Sequence, residues 1–453
     1  MEKLREINEN SILIVLNLLR NVIKGIARDL PKEYRENPVI YHYYSEMIRY
    51  WNKLNYIVKK TLRFIGLTDI SDNIEKAVYL YSTYRVIWEN ASARAVIRDF
   101  KALDSSSIAR ITNLTYNRFL NALTLFSEEK ALKGKTKKEK LSIQESVSNF
   151  TIERLLRVMA FPFLKKNLQF MNNVKTQEDI TIRVNDLSNR TPSLDLIKDI
   201  QADLEKEGIS SHIDAELSEL LHVPYRTKST ILKNKWYQSG NLFFQDKASA
   251  AIISILSPQP SELICDMCAA PGAKTSLIAQ YTKNSARIIA GEFFHSRTIM
   301  MRKLLNQLNV LNVHLITSDS IILPVRTDCK FDRVLLDAPC TGSGTFLNNP
   351  ELKLRQNAKF LSQNTTLQKK LFNKALEILK PNGILVYSTC SLYPEEGELQ
   401  IMNFLDELEP LPLPEWFSPS YNINNSIIPG TGRLFPSIHH AQGFFVGNFK
   451  KKG

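Results

Sequence analysis

The stretch Val334-Leu335-Leu336-Asp337-Ala338-Pro339-Cys340-Thr341-Gly342-Ser343-Gly344 decides how the rest of the chain is read. Three apolar residues run into an acid, a proline, a thiol and two closely spaced glycines, the pattern of a buried strand opening into a tight loop. Such a loop holds a carboxylate and a thiol at the carboxyl end of a sheet, where open α/β folds bind their ligands. On these residues alone, Cys340 reads as a nucleophile.

Working outward, strand and helix alternate from residue 245. A helix over 248–256 precedes a strand at 263–266. Helix 274–281, strand 288–290, helix 297–308 and strands 313–317 and 334–337 follow, then helix 364–379 and strand 384–388. Repeated βα units imply an α/β domain with a doubly wound, mostly parallel sheet. The first strand ends in Asp266-Met267-Cys268-Ala269-Ala270-Pro271-Gly272-Ala273-Lys274-Thr275, whose small side chains let a ligand approach the backbone at a helix N-terminus. Glu292 and Asp319 fall at the ends of the next two strands, and an acid about 20 residues beyond the first loop commonly takes ribose hydroxyls. Taken singly, either acid reads as a solvated loop carboxylate. Together, the three strand ends describe a pocket for a nucleoside with a small charged tail.

The loop has neither G-x-x-x-x-G-K-[ST] nor G-x-G-x-x-G, which disfavours a P-loop ATPase and an NAD enzyme. Cys265-x-x-Cys268 has no second pair and no His cluster near it, so no metal is expected.

Residues 1–165 read as an all-α domain. Ile12, Leu16, Leu19 and Ile23 recur at helical spacing, as do Ile74, Val78 and Tyr81. Lys133, Lys135, Lys137, Lys138 and Lys140 crowd a polar segment that reads as a solvated loop, though lysines facing a polyanion would contact phosphate. Residues 166–244 read as a small α+β subdomain with a strand at 180–184, a helix at 194–207 stopped by Gly208, and further strands at 209–213 and 240–244. Its Arg226, Lys228, Lys233 and Lys235 lie beside Trp236 and Tyr237, a mixture that can stack on bases or simply pack. Residues 245–453 complete the α/β domain.

A chain of 453 residues with 43% apolar content should build two or three domains with real cores. Its net charge of +13 suits a nucleic-acid partner or an anionic surface. The five cysteines are too few and too unevenly placed for a disulfide framework and fit a reducing cytoplasm. The apolar run at 12–16 is broken by Asn17 and Arg20, and no stretch approaches the roughly 18 residues of a membrane helix. The expectation is a soluble, cytoplasmic, monomeric protein with no membrane partner.

Asp266 to Thr275, Asp337 to Gly344, and Tyr387-Ser388-Thr389-Cys390-Ser391 together resemble the RNA cytosine-C5 methyltransferases of the Sun (Fmu, RsmB-like) family. Supporting matches are residues 240–246, Pro394-Glu395-Glu396-Gly397-Glu398, Arg433-Leu434-Phe435-Pro436 and Gly443-Phe444-Phe445-Val446. The resemblance covers residues 180 to 449. In the helical part, Tyr79-Leu80-Tyr81, Ala93-Arg94-Ala95-Val96 and Phe119-Leu120-Asn121-Ala122-Leu123 resemble the NusB-like RNA-binding domain of bacterial-type small-subunit rRNA methyltransferases.

The resemblance implies a Rossmann-like catalytic domain preceded by an RRM-like subdomain and a NusB-like domain. It also implies S-adenosylmethionine as methyl donor and RNA as substrate, rRNA ahead of tRNA. By the family pattern Cys390 is the nucleophile, Cys340 assists product release, and Asp337 and Lys274 stand by the cytosine. Cys268, Ala269, Ala270, Pro271, Gly272, Ala273, Lys274, Glu292, Asp319 and Asp337 would bind the donor. This moves the attacking thiol from Cys340 to Cys390. Three departures stand out: Ala273 where the family has Gly, Ser437 and Gln442 where it has His and Asp, and a less basic Asn348-Asn349-Pro350. If position 273 needed a positive φ, alanine there would cost about 1 kcal/mol.

Overall fold

Capping residues mark where the N-terminal helices begin. Asn37 accepts from the backbone N–H groups of Val39 and Ile40 to start helix Pro38–Arg49, and Asp72 does the same through Ile74 and Glu75 for helix Asn73–Glu89. The second helix stops where Asn90 turns left-handed at φ 53°. Their buried faces hold Ile40, Tyr43, Tyr44, Met47, Ala77, Val78, Leu80 and Tyr81, against which Ile12, Leu16 and Leu19 of helix Glu9–Ile23 pack. The lysine-rich segment is not a loop throughout. Thr136 and Glu139 form a reciprocal capping box that opens helix Lys137–Gln144.

The computed structural model describes residues 9–26, 29–101, 113–173, 179–187, 193–326 and 328–453. It divides into two units: 1–157 with 348–357, and 158–347 with 358–453. The short segment 348–357 is a surprise, because the sequence reading assigned it wholly to the α/β domain. Within the helical unit, Pro350–Arg355 forms a 3-10 turn whose Lys353 Nζ donates to the carbonyls of Arg49 (2.9 Å) and Glu145 (3.1 Å). These are orphan carbonyls at helix ends, and a buried ammonium satisfies both. Burial pushes Lys353 well below the ordinary lysine value.

The second unit contains two sheets among its described residues. The smaller is antiparallel with order β2-β3-β1-β4, built from β1 (Asp179–Val184), β2 (His212–Ile213), β3 (Leu220–Pro224) and β4 (Leu242–Phe244). Helix Ser193–Lys206 covers one face through Leu196, Ile197, Ile200 and Leu204 against Ile182, Val184, Leu221 and Val223. Gly208, at φ 74°, ends that segment as expected. Trp236 packs against this core and donates Nε1–H to Asp203, while Arg226, Lys228, Lys233 and Lys235 are exposed.

The larger sheet has order β11-β12-β13-β9-β8-β5-β6-β7. Its parallel part comprises β5 (Leu263–Asp266), β6 (Arg287–Glu292), β7 (Val313–Thr317), β8 (Phe331–Asp337) and β9 (Leu379–Thr389). An antiparallel extension of β10 (Leu408–Pro410), β11 (Ser418–Pro419), β12 (Thr431–Leu434) and β13 (Phe444–Lys451) completes it. The chain fills β5, β6 and β7 in one direction, then returns to place β8 on the other side of β5. That reversal is a topological switch point, and its crevice opens at the carboxyl ends of β5 and β8. No helix among the described residues is long and apolar enough to cross a membrane.

Candidate active site

The Asp266–Thr275 and Asp337–Gly344 stretches both stand at this switch point. Asp266, the last residue of β5, is buried and accepts the Thr275 hydroxyl at 2.7 Å. Burial raises its carboxyl to about 7 against the pull of that hydrogen bond. The following loop is tied down by its backbone: Met267 N–H donates to Leu335 O (3.0 Å) and Ala269 N–H to Gly291 O (2.9 Å). Gly272 takes φ 105°, and a Cβ there would meet Met301 Cγ at 2.9 Å. Positive φ therefore falls on Gly272, and Ala273 begins helix Ala273–Tyr281. The cost considered for alanine at 273 does not arise.

Glu292 and Asp319 are held rather than free. Glu292 is buried at the end of β6, accepts from Phe294 N–H at 2.8 Å and pairs with Arg297 at 3.2 Å. Asp319 accepts from Ile321 N–H at 2.9 Å and caps the 3-10 turn Ser320–Ile322. Cys265 is buried. Neither it nor Cys268 joins any group of three metal-ligating side chains among the described residues.

Asp337 ends β8 next to β5. Its Oδ2 lies 2.8 Å from Lys274 Nζ, and its Oδ1 accepts the Ser388 hydroxyl at 2.7 Å. Burial alone would pull Lys274 down, but the Asp337 charge and hydrogen bond outweigh it and raise the ammonium above its ordinary value. Beyond Asp337 the loop brings Cys340 Sγ to 3.1 Å from Cys390 Sγ, which follows the end of β9. The shared hydrogen bond with Cys390, together with burial, raises the Cys340 thiol well above the usual range. Two thiols this close cannot both ionise cheaply, and Cys340 is the one held protonated.

The two cysteine loops are stapled to each other. Gly344 N–H donates to Cys390 O (3.0 Å), Leu392 N–H to Ser343 Oγ (2.8 Å), and the Ser343 and Ser391 hydroxyls lie 3.0 Å apart. A Cβ on Gly344 would meet Gly443 O at 2.0 Å, so only glycine fits. Residues given no role by the sequence reading do much of this holding. Glu396, fully buried, accepts from Thr341 N–H (2.9 Å) and Gln368 Nε2–H (3.0 Å), and burial raises its carboxyl. Arg433, also buried, donates to Ser391 O (2.9 Å) while paired with Glu398 at 2.6 Å. The quoted motifs contain Glu396, Glu398 and Arg433. A buried charge in a motif is a signal of this kind, but only the fold shows its partner. At the two other departures, Ser437 N–H meets Asn167 Oδ1 (3.1 Å) and Gln442 N–H meets Asp246 (3.2 Å), both backbone contacts.

Residues 253–450 match the family model described as 16S rRNA methyltransferase RsmB/F. A tRNA (cytosine(49)-C(5))-methyltransferase of Pyrococcus abyssi is 33% identical over 228 residues, covering 48% of this chain and 72% of that relative. The chain belongs to the Sun family of RNA cytosine-C5 methyltransferases. A probable ribosomal RNA small subunit methyltransferase B of Synechocystis, from the same family, is 33% identical over 277 residues, or 58% of this chain and 61% of the relative. The chain spans about half the length of the rRNA-methylating relatives it matches. The crystal structure of PH0851 is similar over 98% of this chain and 99% of its own, with TM-score 0.76 and 25% identity.

Proposed function

We propose that this chain methylates carbon 5 of a cytosine in RNA, using S-adenosylmethionine, with Cys390 as the attacking thiol. The observation that carries the reading is the Cys340–Cys390 thiol pair at 3.1 Å, in a crevice whose acid, Asp337, is held by Lys274. Carbon 5 of cytosine is too weak a nucleophile to take a methyl group unaided. A thiolate adding at carbon 6 makes it enamine-like, and loss of the carbon-5 proton with expulsion of the thiol then releases the product. When bound, the cofactor supplies an electrophilic sulfonium methyl. The residues present fit it: a loop of small residues at a helix N-terminus, a Gly272 with no room for a side chain, and carboxylates Glu292 and Asp319 on the two neighbouring strand ends.

Each side chain then has a task. Cys340, kept protonated, donates to the Cys390 thiolate and stabilises it before attack. After methyl transfer, Cys340 assists release of the adduct. Asp337, oriented by Lys274 and Ser388, accepts from the exocyclic amine of the ring. The target base must leave its stack to reach the crevice. The helical residues 1–165, in the NusB-like role, and the RRM-like subdomain 166–244 with its exposed Arg226, Lys228 and Lys233 hold the flanking RNA. The NusB-like resemblance favours rRNA in a cytoplasmic, monomeric enzyme. The Pyrococcus relative, of which 72% is covered, supports tRNA as a second reading.

Transfer of labelled methyl from S-adenosylmethionine to total RNA tests the activity, and retained transfer by Cys390→Ala would remove Cys390 from the nucleophile role. Bisulfite sequencing of RNA from cells with and without the chain identifies the cytosine. A missing mark in tRNA alone would overturn the rRNA assignment.

A further inference from the structure

The small sheet carries a cluster that the methyl-transfer site does not use. β2 is two residues long, and its His212 stands directly opposite His222 of β3 in the antiparallel register. The two imidazoles lie parallel, 6° apart in plane with centroids 4.7 Å apart. His222 is also the register partner of Thr181 in β1, and Asp179 lies two residues before Thr181. Side chains alternate along a strand, so Asp179, His222 and His212 share one face, with Asp179 diagonal to His222. One donor atom from each of the three lies within 4.8 Å of the others.

A second observation points the same way. His222 Nε2 lies 2.7 Å from Oδ2 of the buried Asp214. Asp214 is itself fixed, accepting Glu216 N–H and Leu217 N–H at 3.0 Å each and pairing with Lys247 at 2.9 Å. The Asp214 carboxylate occupies Nε2 of His222, so Nδ1 is the ring nitrogen left for another partner. A carboxylate on the far nitrogen is the arrangement that orients a metal-bound imidazole and raises its basicity.

We propose that His212, His222 and Asp179 bind a divalent transition-metal ion of the zinc class, which ties edge strand β2 to β3 and β1. Two imidazoles and one carboxylate suit zinc or its neighbours, whereas magnesium and calcium ask for more oxygen ligands. Closing the three donors onto bonds of about 2.1 Å draws them together by roughly an ångström, within reach of side-chain rotation at an exposed strand. Solvent takes the fourth position. The site's role is structural: it adds a tie through side chains to a strand of two residues at the sheet edge, and an ion that binds only the folded form stabilises it by mass action.

The test uses the full-length, untagged protein stripped with a chelator, titrated with zinc chloride by calorimetry and with cobalt(II) by absorption. One saturable zinc site is expected, with nitrogen- and oxygen-type cobalt bands and a raised unfolding temperature. His212→Ala and Asp179→Asn, both surface changes, should lose it while unfolding as wild type does in the absence of metal. Asp214→Asn should weaken binding by about 10–100-fold. A Cys340→Ser/Cys390→Ser variant should bind zinc as wild type does. No saturable binding, binding that survives both His212→Ala and His222→Ala, or a thiolate charge-transfer band on cobalt would overturn the proposal.

Discussion

Cys340 and Cys390 are separated by 50 residues, yet their Sγ atoms lie 3.1 Å apart because β8 and β9 are parallel neighbours that end side by side. The register pairs Asp337 with Ser388, and each thiol follows within three residues. This relationship makes the two cysteines unequal in consequence although they look alike in sequence. Cys390→Ala should abolish methyl transfer. Cys340→Ala should leave attack intact but slow release, so that a covalent protein–RNA adduct survives denaturing electrophoresis. An adduct accumulating in Cys390→Ala instead would exchange the two roles.

Lys274 is the partner that aims Asp337. Lys274→Met removes a charge-assisted contact of the kind worth about 1.5–3 kcal/mol, and methyl transfer should fall by at least one order of magnitude. The ammonium is raised by Asp337, so its contribution is complete at neutral pH and is lost only as pH climbs above the ordinary lysine range through the raised value. A rate profile that declines between neutrality and pH 9 in wild type, but is flat in Lys274→Met, would show that Lys274 titrates in the working range and sink this assignment.

Asp266 gives a pH signature of the same sign in a much lower window. Its folded-state value of about 7 lies above the ordinary 3.8, so the folded protein holds a proton that the unfolded chain releases. Stability from this group is complete below about pH 4, declines as pH rises towards 7, and stays low above it. At about 1.4 kcal/mol for each tenfold change in proton affinity, the full effect is on the order of 4 kcal/mol, an upper bound once the site relaxes. Asp266→Asn keeps an acceptor for Thr275 and carries no charge. Its thermal unfolding midpoint should therefore gain on wild type steadily from pH 4 to 7. A constant difference between the two proteins over that range would show that Asp266 is ionised throughout.

The strand ends were legible because their residue types are unusual together: acid, small residues, proline and thiol after an apolar run. Strands β5 to β9 followed from the same alternation, and Asp337, Cys340, Cys390 and Lys274 meet where the motifs placed them. The antiparallel extension was not legible. Gly432 and Gly447 and the buried Arg433 break the apolar alternation that marks β12 and β13. Strand β3 was missed for a related reason, since it ends on Pro224 and has His222 inside it. Segment 348–357 falls within the α/β domain by its place in the sequence, and only the carbonyls of Arg49 and Glu145 explain the burial of Lys353 in the helical unit. Buried polar side chains take their meaning from partners distant in sequence, and a local pattern cannot supply those.

Arg433 and Glu398 illustrate how such a hidden pair bears on the site. Both side chains are fully buried, joined by two hydrogen bonds of 2.7 and 2.6 Å, and Arg433 also holds the Ser391 carbonyl next to Cys390. Arg433→Met leaves the buried Glu398 without its cation and with only the Tyr421 N–H (2.8 Å) still donating to it, a change expected to cost about 3–5 kcal/mol in urea unfolding. Adding Glu398→Leu removes the orphaned charge and should recover most of that loss, because a buried pair is often no more stabilising than apolar residues of similar volume. Catalysis should not follow stability. The double variant still lacks the donor to Ser391 O, so the Cys390 loop loses one of its anchors and methyl transfer should stay low in a protein that folds well. If activity returned together with stability, the arginine would be acting on the fold alone, and the Ser391 contact would have no part in positioning the thiol.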